Sequence, residues 1–153
     1  MIEVILEDER WEAVGLAALC EPAEREALAI TGRTPEGFEV ALMGCDDARI
    51  AVLNKDFRGK EAATNVLSWP ASETPSMQGN PMGTELGDIA IAFETCQREA
   101  KEKGISVQDH VTHLVIHGIL HLLGYDHISD QDAEEMEALE IKALAKLGVS
   151  NPY

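Results

Sequence analysis

The stretch that organises this chain is HLVIHGILHLLGYDH, residues 113–127. It holds four of the chain's five histidines. His113, His117 and His121 recur every four residues, so on a helix they line one face about one turn apart. Around them Val111, Leu114, Val115, Ile116, Ile119, Leu120, Leu122 and Leu123 are apolar almost all round. A helix of that kind belongs in a core, so its imidazoles would be held by packing on a rigid element. Gly124 is a natural helix stop because it accepts a left-handed backbone. His127 lies just past that stop, where the chain can turn back.

Two imidazoles at i and i+4, with a third from the turn beyond, make a three-ligand metal site with an open position. The set preferred is His117, His121 and His127, because only the last helical turn lies near a residue that follows Gly124. His113 has the same spacing to His117 but sits a turn further away, where it would orient a ligand or line the cleft. His110 is roughly 16 Å from His121 along a helix axis, too far to share its metal. Asp126 adjoins His127 and is placed either to accept a ligand's ring N–H or to stabilise the turn. The plainer alternative is a core helix whose histidines are satisfied by hydrogen bonds.

Outward from the helix, Ser106 is its N-cap, and residues 94–103 form an amphipathic helix ended by Gly104. Residues 86–93, LGDIAIAF, are apolar after Asp88 and predict a central strand. Residues 64–69 predict another strand, stopped by Pro70, and residues 71–83, rich in Pro and Gly, a loop over a site. Nearer the N-terminus, residues 2–6 and 38–43 predict strands. Asp8 or Glu9 opens a helix that Pro22 breaks or restarts, with residues 23–30 helical again. Asp46 or Asp47 caps a helix carrying Ile50, Val52 and Leu53, followed by a turn at Arg58-Gly59-Lys60. After the histidines, Ser129-x-x-Asp132 predicts a capping box for a last helix that stops at Gly148. Its acidic run, residues 130–140, reads as a solvated face. Four strands and about five helices, not strictly alternating, predict one α+β domain over residues 1–153, with a mixed sheet and a metal site at the end of a buried central helix.

The composition narrows the function. The 153 residues carry 28 Asp and Glu against 12 Lys and Arg, a formal net charge of −16. Such a chain repels polyanions at long range, so any nucleic-acid contact needs a local basic patch, within a Debye length of ~8 Å. Lys55, Arg58 and Lys60 are the candidates for that patch. A guanidinium at Arg58 can grip a phosphate with two hydrogen bonds and stabilise charge in phosphoryl transfer; equally, these are ordinary cations on an exposed turn. No apolar run approaches the ~20 residues of a membrane span, and the opening MIEVILEDER does not read as a signal peptide. Cys20, Cys45 and Cys96 are odd in number and far apart, which fits buried free thiols in a reducing cytosol. No membrane partner and no DNA are expected, and the expected location is cytoplasmic.

A metal held by three neutral imidazoles keeps its positive charge and can activate water or polarise a phosphoryl oxygen at neutral pH. The spacing H-x-x-x-H-x-x-G-x-x-H is also that of metzincin proteases. Those carry a glutamate after the first histidine as general base, and this chain has Gly118 there. Peptide hydrolysis is therefore disfavoured. A metal hydrolase of small substrates is another reading.

Four segments together resemble a known family: HGILHLLGYDH at 117–127, LNKDFRGKEAATNVLSWP at 53–70, LGDIAIAFETC at 86–96 and DAEEMEALE at 132–140. In this order they resemble the YbeY endoribonucleases, bacterial rRNA maturation factors. The resemblance implies an α+β fold with one Zn²⁺ per chain, another divalent transition metal also being possible. It implies single-strand-directed endoribonuclease activity in 16S rRNA 3′-end maturation and ribosome quality control, with rRNA and the small ribosomal subunit as partners. It implies His117, His121 and His127 as metal ligands and His117 and Arg58 as needed for activity; Arg58 with Lys60, the local basic patch, are the expected RNA contacts, and a non-enzymatic ribosome-assembly factor with a structural metal is the rival reading. Glu61 and Ala63 depart from the family's usual residues in the turn after Arg58.

Overall fold

A computed structural model describes residues 1–71 and 84–153. All but the first residue of the expected loop at 71–83 lies outside the described residues. Strand β1 (Ile2–Leu6) is followed by helices α1 (Arg10–Val14) and α2 (Leu16–Ile30), then β2 (Phe38–Cys45) and α3 (Asp47–Arg58). Strands β3 (Val66–Pro70) and β4 (Thr84–Ala92) lead into α4 (Phe93–Lys103), α5 (Val107–Leu122) and α6 (Asp130–Lys146). The sheet order is β1-β2-β4-β3. β1, β2 and β4 run parallel and β3 pairs antiparallel on the edge. This is the expected α+β fold with a four-stranded mixed sheet, with six helices among the described residues rather than about five.

The interior position of β4 explains its composition, since both of its faces are covered. Ile89 and Ile91 face the larger core, filled by α2, α5 and α6; Ala90 and Ala92 face a smaller one under Ile50 of α3. The two helix layers thus lie on opposite faces of the sheet. Trp11 anchors the larger core, fully buried, its indole N–H donating to the Cys45 carbonyl at 2.9 Å.

Two local expectations are corrected. The first helix breaks at Gly15, whose φ of 81° ends α1, and not at Pro22, which lies inside α2. Proline removes a bond to the carbonyl four residues earlier. That residue, Ala18, is exposed, so water can take the carbonyl, and the helix continues to bury Ala23, Ala27 and Leu28. Arg58 is the last residue of α3 rather than part of the turn, and Gly59 closes the helix with φ 73°.

Capping follows the sequence closely. Asp46, Ser106 and Ser129 each accept the N–H three residues on, from Arg49, Asp109 and Asp132. Helices α3 and α4 also start against each other. Asp47 accepts from the Thr95 N–H and hydroxyl, and Glu94 accepts the Asp47 N–H. Cys20, Cys45 and Cys96 are free and buried, and burial pushes the Cys20 and Cys45 thiols up to about 12.

Candidate metal centre

Helix α5 is buried along nearly its whole length against α2, α4, α6, β3 and β4. Its stop is a Schellman motif: the Tyr125 N–H reaches the Leu120 carbonyl and the Gly124 N–H that of His121, both at 3.0 Å, with Gly124 at φ 102°. The chain is thereby turned back across the last helical turn. His127 arrives with its ring centroid 5.2 Å from His121 and 5.6 Å from His117. The Nε2 atoms of His117 and His121 are 3.0 Å apart, and one ring nitrogen from each of the three lies within 4.8 Å of the others. Asp126 accepts the Ile128 N–H at 3.2 Å, a turn-stabilising bond.

The donor set fits a divalent metal. Metal–nitrogen bonds of ~2.0–2.1 Å in a tetrahedral site put neighbouring nitrogens roughly 3.3 Å apart, close to the separation of the two Nε2 atoms. Burial, followed by the neighbouring His117 and His127, pushes His121 down to about 4. It is therefore neutral at pH 7 and offers a lone pair, the form a metal binds.

The buried residue that sequence reasoning missed is Glu140. It stands in the acidic run taken for a solvated face, yet its carboxylate is 0% exposed. Its Oε1 lies 2.6 Å from His113 Nε2 and 3.2 Å from His117 Nδ1. The Tyr153 hydroxyl donates to both carboxylate oxygens, at 3.1 and 3.0 Å. Burial would raise the Glu140 carboxyl, but the bonds from His113 and His117 outweigh it and hold it down at about 2. The signal was present in the spacing. Met136, Glu140, Ala143 and Leu144 are the buried residues of α6, so Glu140 stands at i+4 in the apolar stripe.

His113 therefore bonds Glu140 and stands outside the His117–His121–His127 cluster. Two crevices flank His117. One, of about 200 Å³, is bordered by Asn65, His110, His113 and Tyr153. The other, of about 160 Å³, is bordered by His127, Met136, Glu140 and Tyr153. His110 bonds Glu99 at 2.9 Å.

Gly118 has a packing reason. A Cβ there would lie 3.1 Å from Ile89 Cδ1, so a larger side chain would have to push Ile89 of β4 aside. The glutamate of a metzincin would point into the sheet.

Arg58 and Lys60 are exposed, and among the described residues neither side chain has an acidic partner. No contact among these residues joins them to the histidines. Arg58 sits at the same end of the sheet as the last turn of α5. Phe57 packs edge-on against Trp69 at 5.3 Å, while the Trp69 carbonyl and Leu122 both crowd Gly87. Helix α3, however, covers the opposite sheet face. Lys55 pairs with Glu61 at 3.8 Å.

Residues 7–148 match the family described as Endoribonuclease YbeY. The chain belongs to the YbeY endoribonuclease family. Among curated members, Endoribonuclease YbeY of Cereibacter sphaeroides is 54% identical, covering 100% of this chain and 98% of its own. That of Paracoccus denitrificans is 52% identical, covering 99% and 89%. The solution structure of TM1509 from Thermotoga maritima superposes with a TM-score of 0.66 at 27% identity, over 96% of this chain and 89% of that one.

Proposed function

We propose that this YbeY-family chain is a metal-dependent endoribonuclease of rRNA maturation, a hydrolase of phosphodiester bonds contained in one domain. The observation that carries the metal is the trio His117, His121 and His127 converging at the end of a buried helix; family membership carries the RNA. The finer reading assigns one Zn²⁺ per chain, single-stranded RNA at the 3′ end of 16S rRNA, a place in ribosome quality control and the small subunit as partner. The cytoplasm is the compartment. Among the described residues no helix is long and apolar enough to cross a membrane, and the three thiols are free.

When bound, the metal supplies Lewis-acid polarisation of a phosphoryl oxygen and activation of a nucleophile. The chain's own residues supply the rest. His117, His121 and His127 would hold the ion, and His127 lies exposed, where substrate can approach. Arg58 binds a phosphate oxygen and stabilises developing negative charge; Lys60 adds a second backbone contact. Both provide the local positive charge that a chain of net charge −16 needs to approach RNA. The close packing of Gly118 on Ile89 weighs against a protease.

The test is cleavage of a labelled rRNA 3′-precursor fragment by metal-replete protein, chelator-treated protein, and folded Arg58→Ala and His121→Ala variants. Cutting by the replete wild type alone is expected. Equal cutting by all four would assign the activity to a contaminant. Tight ribosome binding without cutting by any of them would favour an assembly factor.

A further inference from the structure

We infer that Glu140 is a positioning residue for the metal site: its carboxylate locks His117 so that Nε2 faces His121 and His127, and Tyr153 clamps the carboxylate in turn. The inference rests on the reading of His117, His121 and His127 as ligands.

An ionised carboxylate can only accept hydrogen bonds. The ring nitrogens facing Glu140 must then be the donors, Nε2–H of His113 and Nδ1–H of His117. With its Nδ1 protonated, neutral His117 has its lone pair on Nε2, the atom 3.0 Å from His121 Nε2. One partly buried bond thus selects the tautomer and the ring orientation that a metal needs, and a carboxylate partner makes the imidazole a stronger ligand. A carboxylate with no exposed surface is costly unless its lone pairs are filled. Here two imidazoles and the Tyr153 hydroxyl, its one proton shared between the two oxygens, supply three donors.

His113, His117 and Glu140 also cluster closely enough to be considered as a second metal site. Their geometry argues for hydrogen bonding instead. Glu140 Oε1 and His113 Nε2 are 2.6 Å apart, whereas two ligands of one tetrahedral ion stand roughly 3 Å or more apart. Both carboxylate oxygens are already engaged by Tyr153.

The test uses metal-stripped full-length wild type, Glu140→Gln and Tyr153→Phe. Zn²⁺ is titrated against a chromophoric chelator, Co²⁺ visible absorption reports ligand geometry, and circular dichroism checks the fold. Wild type should take one ion per chain. Glu140→Gln, which keeps the shape and removes the charge, should stay folded, bind Zn²⁺ about 10- to 100-fold more weakly and shift the Co²⁺ bands. Tyr153→Phe should weaken Zn²⁺ roughly two- to tenfold, and it decides the matter should Glu140→Gln not fold. Unchanged affinity and spectrum in the folded variants would overturn the inference. So would two ions per wild-type chain with one lost on Glu140→Gln, which would make Glu140 a ligand. A folded wild type that binds no Zn²⁺ would remove the metal reading itself, a failure visible before any variant is compared.

Discussion

His110 and His117 stand seven residues apart on α5, and each gives a ring nitrogen to a glutamate of a neighbouring helix. His110 engages Glu99 of α4 through Nε2 at 2.9 Å; His117 engages Glu140 of α6 through Nδ1 at 3.2 Å. The difference lies in the nitrogen left over. Nδ1 of His110 is buried with no partner among the described residues. Nε2 of His117, at the far end of its ring, reaches the His121 nitrogen. His113 repeats the His110 pattern, with Nε2 on Glu140 and a buried Nδ1 that has no partner among the described residues. Pairing with a carboxylate is therefore common to three histidines of this helix. The nitrogen that makes the pair separates a structural histidine from a candidate ligand.

The sharpest contrast is expected between His121→Ala and His110→Ala. The first should abolish stoichiometric metal binding and RNA cleavage while the apo protein stays folded. The second should keep one ion per chain and lose about 1–3 kcal/mol of stability, because Glu99 is left without its imidazole partner. Metal analysis and chemical denaturation of both variants check this. Loss of the ion on His110→Ala would break the distinction.

Arg58→Ala comes next. Removing one charge-stabilising donor lowers turnover by about 10²–10³-fold in comparable sites. An exposed side chain with no partner among the described residues should leave the melting temperature unmoved. A fall in both would make Arg58 a structural residue.

Gly118→Glu tests the face of α5 that meets β4. Forcing a side chain against Ile89 should cost about 1–3 kcal/mol from overpacking alone, with a buried carboxylate adding to it. No peptidase activity should appear. Denaturation midpoints and a casein assay are sufficient. A stable variant would show that the helix can lift from the sheet.

The smallest effect concerns acid. His110 is held below its ordinary value by burial, against the pull of Glu99. Burial raises Glu99, yet its bonds to His110 and Asn65 bring it down overall. In both cases the unfolded chain takes up its proton first, so metal-free protein should lose stability as pH falls below ~6.5 and again through the carboxylate range. His121, at about 4 in the fold, adds in the same sense. Melts of apo wild type and Glu99→Gln between pH 7.5 and 4 check this, and the variant should show a shallower slope in the carboxylate range, where Glu140 still contributes. A flat profile in the wild type would mean that these groups titrate alike folded and unfolded.

Much of this was readable in one dimension. A four-residue histidine period, a glycine stop and one further histidine are local features, and local geometry alone brings those three rings together. Ser106 and Ser129 announced their helices for the same reason, since a cap is made within four residues. The apolar run at Ile89–Ala92 marked an interior strand because covered strands cannot alternate with polar residues.

What could not be read depends on packing between distant segments. Whether Pro22 breaks a helix turns on whether the carbonyl of Ala18 meets water, and that depends on the side α2 presents to the core. Glu140 sits among acidic neighbours that are solvated. Only the crossing of α6 over α5, 23 residues away in sequence from His117, turns its carboxylate inward onto two imidazoles. The histidine spacing thus brought the three candidate ligands together, because one helix turn is a short-range property of the backbone. The contact of His117 with Glu140, the close approach of Gly118 to Ile89 and the packing of α3, which ends in Arg58, on the opposite face of the sheet arose from tertiary packing, because each is a distance between elements that the order of residues does not contain.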